Sequence, residues 1–339
     1  MTSAPGQSIP PDGLNLADHR VRVAAEFRRL AEAGELDLPL PGAGDTRARW
    51  QALTAIAERD LALARLAEGH TDALAILAEL RSLGVAAVPV PVPGSLWGVW
   101  AAEPPGTTLQ ALGHHDGSWT LDGAKAYCSG ARVCTDALVT VRDGDRRLLF
   151  AVPVGPGVSP RPDSWPAAGM NASDTLDLDF RQVPATLIGD SGAYLDRPGF
   201  QHGGIGVAAC WYGGARAVAA ALLTAAAHGD PHTLAHLGAV DARLQAVSAL
   251  LDRAAQEVDA DPDDKQGTAG LRSMRVRAAT EDAAMAVLHH VGRALGAGPL
   301  GHDREHARRV SDLTVYLRQH HGERDLAALG AALATGPAR

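Results

Sequence analysis

The hydrophobic period of this chain changes twice, and that pattern limits its fold more than any other feature. From Asp18 to Leu83 the apolar residues recur at three and four. After Gly84 the runs shorten to strand length and are punctuated by Pro and Gly, and from Phe200 helical spacing returns. The first part reads as a helix over Asp18–Ala33 stopped by Gly34, then one long or two abutting helices over Thr46–Leu83. His70 falls in a break, EGHTDA, where it reads as a solvated or capping residue. The middle carries seven or so short strands in about 100 residues. VAAVPVPVPG and SLWGVWAAEPPG are the first β-type runs. SWTLDGAKAYCSG follows, with a polar turn at Leu121-Asp122-Gly123. ALVTVRD and RRLLFAVPV meet at Asp143-Gly144-Asp145, and TLDLDFRQVPA alternates with period two.

Four C-terminal helices are expected: GGIGVAACWYGGARAVAAALLTAAAH, Thr233–Val258, Leu271–Leu295, and a fourth from the remaining tail. The predicted fold is α+β, with an N-terminal helical domain over 1–84 and a central antiparallel β-barrel or sandwich over 85–190. A C-terminal four-helix bundle over 191–339 completes it.

Composition narrows the function classes. The 339 residues carry a net charge of −8 with both signs dispersed, which argues against a nucleic-acid surface. No uncharged apolar run reaches the roughly 18–20 residues of a membrane span. Residues 1–17 read as a polar, flexible lead-in without the apolar core of a signal peptide, so the expected location is cytoplasmic. Cys128, Cys134 and Cys210 have no metal-type spacing and read as reduced, packed thiols.

The motifs lie in one order. AAEPPGTTL runs from Ala101 to Leu109, WTLDGAKAYCSGA follows from Trp119, and GMNASDTLDLDFRQVPATLIGD spans Gly169 to Asp190. RALGAGPLGHDREHARRVSDLTVYLRQHH, from Arg293, closes the series. Taken together over residues 20–335, they resemble the acyl-CoA dehydrogenase family. Gly296 falls on the first glycine of that family's Gly-Gly-x-Gly turn, Asp312 on its Arg-Asp-Ala aspartate, and Tyr316 on a frequent tyrosine. The resemblance implies FAD wedged between barrel and bundle, with Ala102, Thr108 and the Ser129 hydroxyl facing the flavin. Tyr127 takes the place of a tryptophan beside the ring. Gly296 and Gly298 leave room for backbone near a phosphate. It further implies a homodimer or homotetramer, an acyl thioester substrate on CoA or a carrier protein, and an electron-transfer partner.

Two departures stand out. Ala225 replaces an arginine that reaches the FAD phosphates, and His228 and His236 replace a phenylalanine and a glutamine, while Gly229 and Pro231 remain. Arg293, at a position usually held by glutamine, could restore part of that charge. Counting on from Asp312, His320 stands where many members carry the glutamate base, and the alternative base region around His202 and Gly203 has no acid. Three readings follow. One is α,β-dehydrogenation of an acyl thioester with His320 as general base. Another is a flavin-dependent monooxygenase of the same superfamily fed by a flavin reductase. The last is a non-catalytic subunit of a heteromeric acyl-CoA dehydrogenase. At His320 and His321 the alternative is a solvated pair at a helix boundary.

Overall fold

The structure, a computed structural model, describes residues 16–335. Most of the lead-in expected over 1–17 lies outside them. Helix α1 (Leu16–Glu32) buries Val23, Phe27 and Leu30 along one stripe. Helices α2 (Thr46–Arg59) and α3 (Leu61–Ser82) abut at Asp60, whose carboxylate accepts from the amides of Ala62 and Leu63 and so starts α3. The break predicted at EGHTDA is absent. His70 lies inside α3, is 4% exposed, and its Nδ1 accepts from the Trp97 amide at 3.1 Å. A sequence window registers the polar cluster there but not the strand amide that it satisfies.

Strands β1 (Trp97–Trp100), β2 (Gln110–Gly113), β3 (Trp119–Cys128), β4 (Asp136–Asp143), β5 (Arg146–Pro153), β6 (Val158–Pro160) and β7 (Leu176–Gly189) form one sheet. Its order is β1-β4-β5-β7-β3-β2, with β6 on β7. The Pro-rich run 85–94 contributes no strand, because alternate prolines cannot donate to a ladder. β1 pairs with β4 in parallel, a departure from the all-antiparallel expectation, and the other pairings are antiparallel. The turn expected at Leu121-Asp122-Gly123 is a bulge inside a continuous β3. There β7 advances three residues for two of β3, and Gln182 takes the left-handed φ of 49° that the extra residue requires.

Helix α4 (Pro198–Ala226) lies at the centre of the helical part, between α2, α6 (Ala269–Leu295) and α3. It is the one helix among the described residues long and apolar enough to cross a membrane. With 78% of that window buried inside the protein, it is a core helix. Helix α5 (Pro231–Ala260) packs against α4 and α6. The expected fourth helix is divided into α7 (Ala297–His302), α8 (Arg304–Tyr316) and α9 (Glu323–Thr335). Asp303 caps α8 through the amides of Glu305 and His306, which is why the chain restarts there.

The sheet curls so that β1 comes near β3 and β2 near β4, giving a barrel, and barrel and bundle meet tightly at Gly169-Met170. The Met170 amide donates to Asp312 Oδ1 at 2.5 Å, and a Cβ on Gly169 would collide with the Ser311 carbonyl. The three cysteines are free and buried, as expected.

Candidate active site between helix α3 and the bundle

Trp211 on α4 is the centre of a buried polar cluster. The Arg277 guanidinium from α6 lies 4.7 Å from the Trp211 ring centroid. Tyr316 at the end of α8 and His320 both meet that ring edge-on, with centroids 6.4 Å away. Arg277 is fixed by two carbonyls, Gly204 O and Gln319 O, each at 3.1 Å. His320 ends a 3-10 turn (Leu317–Gln319) and its amide donates to Leu317 O, which turns the ring inward; the residue is 4% exposed. The solvated pair is therefore divided. His321 is outside, its Nδ1 3.3 Å from Asp325, and His320 is inside.

Two polar atoms of this cluster, Trp211 Nε1 and His320 Nδ1, are buried without a hydrogen-bond partner, and Tyr316 OH has only the Cys210 thiol beside it, short of a well-formed bond. Buried polar groups are nearly always satisfied, so such unmet atoms in one locus mark a place for solvent or a polar ligand. Their protonation is set by desolvation. Burial lowers the His320 pKa, with Asp325 and Glu281 pulling it up and Arg277 and His321 pushing it down, so the imidazole is neutral at pH 7. Burial also holds the Tyr316 phenol and the Cys210 thiol well above their ordinary values. Beside the Arg277 cation the cluster thus presents a neutral phenol, a neutral imidazole and no thiolate.

Helix α3 is the wall behind it. Arg65 and Glu68 pair at 2.5 Å with side chains 14% and 8% exposed, an ion pair hidden in a helix rich in Ala and Leu. Burial raises the Glu68 pKa, opposed by Arg65, and the charge of Glu68 in turn reaches Tyr316 and Cys210. Arg65, Glu68, Trp211 and Arg277 do not stand out in the sequence. The signal available was an i,i+3 charge pair in an apolar helix, and it reads equally as a solvated face.

The barrel brings a second group to the same helix. Between Lys125 and Cys128, β3 advances three residues for two of β7, and Tyr127 absorbs the difference at φ 59°. This bulge turns Tyr127 outward to 50% exposure, edge-on to Trp165. It also aims Ser129 inward, where its hydroxyl lies 2.8 Å from Thr175 Oγ1, itself 2.8 Å from Ser173 Oγ. A Cβ on Gly130 would lie 3.3 Å from Leu66, so the turn after Ser129 packs directly on α3. Thr108 is exposed and accepts from the Ala124 amide at 3.2 Å, and Ala102 is half-buried in the loop after β1.

Lys125, also in β3, is fully enclosed. It donates to Thr140 O at 2.6 Å, and burial brings its pKa down to about 8. Glu103 accepts from Thr140 and Arg147 beside it, so this charged set braces the barrel.

Arg293, Gly296 and Gly298 sit elsewhere. They are exposed at the outer end of α6 and in α7, near the His236–His290 pair, whose Nδ1 atoms are 2.9 Å apart. No hydrogen bond or ion pair among the described residues links them to Ser129 or His320. His202 of the alternative base region is buried, and its Nε2 meets the Pro262 carbonyl at 3.1 Å. For a flavin, the small hydroxyls and unmet aromatic edges suit the ring. Both guanidiniums beside the cluster have protein partners, Arg65 in Glu68 and Arg277 in two backbone carbonyls.

No family model matches the chain. The L-evernosamine nitrososynthase of Micromonospora sp. is 34% identical over 88 residues, which cover 24% of this chain and only 21% of that protein. Among solved structures, KijD3 in complex with FMN and dTDP-3-amino-2,3,6-trideoxy-4-keto-3-methyl-D-glucose superposes with a TM-score of 0.75. The identity is 21%, over 96% of this chain and 93% of KijD3. TdsC of Paenibacillus sp. A11-2, a dibenzothiophene monooxygenase, bound to FMN and indole, superposes with a TM-score of 0.73. The identity is 19%, over 94% of this chain and 96% of that one. The chain has the acyl-CoA dehydrogenase-like fold that these proteins share.

Proposed function

We propose that this protein is a flavin-dependent monooxygenase that uses reduced FMN from a separate reductase and oxidises an amine or similar electron-rich heteroatom. The observation that carries the proposal is the neutral, buried His320 in a cluster with unmet polar atoms, at a position where a dehydrogenase would place a carboxylate. An imidazole with a depressed pKa is a weak base for an α-proton, which disfavours dehydrogenation of an acyl thioester. Ala225 in place of a phosphate-binding arginine favours a mononucleotide over FAD. The fold likeness to proteins bound to FMN supports this, and the amino sugar nucleotide held by KijD3 supports an amine substrate.

Reduced FMN, when bound, supplies the electrons that activate dioxygen. The chain's own residues do the rest. His320 accepts or returns a proton at its unmet Nδ1, and Tyr316 offers a neutral hydroxyl donor. Arg277 and Trp211 hold both rings and keep bulk water out. On this reading the protein works as a homodimer or homotetramer in the cytoplasm.

The test is loading with FMN and a flavin reductase while following oxygen uptake with an amino sugar nucleotide. Product-coupled uptake is expected, and His320→Ala should lower it on the order of 100-fold with FMN affinity little changed. Bleaching of bound flavin by acyl-CoA without oxygen would return the chain to the dehydrogenases. Failure to take up any flavin would make it a scaffold subunit.

A further inference from the structure

A cavity of about 320 Å³ lies outside the Trp211 cluster, between α3 and the loops on either side of it. Its walls are mostly apolar, Leu36, Leu38 and Leu74 among them, and Arg49 of α2 reaches into it. That arginine is 4% exposed and makes one hydrogen bond, from Nη1 to the Pro39 carbonyl at 3.2 Å. Among the described residues no carboxylate lies within ion-pair distance of it. Asp72 and Glu68 face it only at longer range, and Asp37 lies exposed at the cavity rim. Arg81 adds a second guanidinium to the lining and donates to the Pro89 carbonyl at 2.8 Å. The cavity thus holds two cations against one solvated acid.

A buried guanidinium with most of its donors unused is costly, and such a charge is ordinarily paired. Planar N–H pairs suit a carboxylate bidentately, and an apolar wall of this volume suits a short hydrocarbon body. We propose that the cavity binds a small monocarboxylate with an apolar tail, its carboxylate on Arg49 and its tail along Leu36, Leu38 and Leu74. This site needs neither the flavin nor His320.

Titration calorimetry of the full-length chain with sodium hexanoate tests it. One saturable site is expected, with hexan-1-ol and inorganic phosphate each at least about tenfold weaker, since each lacks one half of the recognition. Arg49→Met should weaken hexanoate by about tenfold or more, and Ala78→Phe, which fills the cavity from the α3 side, should abolish binding. If Arg49→Met does not fold, Ala78→Phe and the two neutral or tail-less probes decide. No saturable hexanoate site, unchanged binding in Ala78→Phe, or an alcohol as tight as the acid would each overturn the proposal.

Discussion

His70 shows how far one side chain's role can lie from its local sequence. In EGHTDA it has polar neighbours on both sides, yet the fold hides it and uses its Nδ1 as the acceptor for the Trp97 amide. Desolvation brings its pKa down to about 4. A histidine with a depressed folded pKa keeps the fold intact while it is neutral. Stability is therefore full above the unfolded value near 6.5 and drains as pH falls toward 4. Between pH 7 and pH 5 the expected loss is about 2 kcal/mol. His70→Gln keeps an acceptor for the amide and cannot charge. Urea unfolding of the two proteins at both pH values should show the variant's stability change from pH 7 to pH 5 lying about 2 kcal/mol above the parent's, and equal changes in the two proteins would refute the assignment.

At the scale of elements, α4 decides how closely the helices approach. Its glycines differ in what stands opposite them. A Cβ on Gly213 would run into the Thr54 carbonyl and come within 2.7 Å of the Ala57 methyl on α2, whereas one on Gly206 would meet Leu53 at an ordinary 3.5 Å. Gly213→Ala should cost about 2 to 3 kcal/mol through overpacking. Gly206→Ala should be neutral or gain up to about 1 kcal/mol from helix propensity. Chemical denaturation of the pair distinguishes packing from propensity, since propensity alone would stabilise both. The small-residue run of α4 was visible in the sequence as a close-packing helix. Which glycine faces which carbonyl depends on the crossing with α2, and no local window contains that. The same holds for strands. β4, β5 and β7 were legible from alternation and turn residues, but the parallel β1–β4 pair and the bulge at Tyr127 arise from pairing between distant segments. His320 could be singled out by counting from Asp312. Arg65, Glu68 and Arg277 could not, because their meaning is the burial that the fold gives them.

For the molecule as a whole, the junction of barrel and bundle rests on Asp312. Its Oδ1 accepts from Met170 at 2.5 Å, and its Oδ2 lies 3.2 Å from Arg308, which also reaches Asp60 at 2.9 Å, so one carboxylate ties the barrel loop, α8 and the start of α3. Burial raises its pKa to about 6, against the opposing pull of the Met170 amide and Arg308. A carboxyl with a raised folded pKa contributes fully below its unfolded value near 3.8 and loses that contribution as pH rises through 6, the opposite sign to His70. Asp312→Ala leaves the Met170 amide buried and unpaired and should cost about 2 to 3 kcal/mol. Asp312→Asn keeps the acceptor oxygen and stays neutral, so it should lie within about 1 kcal/mol of the parent at pH 7. The parent should then gain on it as pH falls to 4.5, because the aspartate picks up its favoured proton in that window and the asparagine cannot. Because His70 and Asp312 pull in opposite directions over pH 6 to 4, the parent's acid response is shallower than either group alone would give. Removing one should expose the other. His70→Gln should become more stable on mild acidification where Asp312→Asn becomes less so, and unfolding curves in which the two variants shift the same way would break this account.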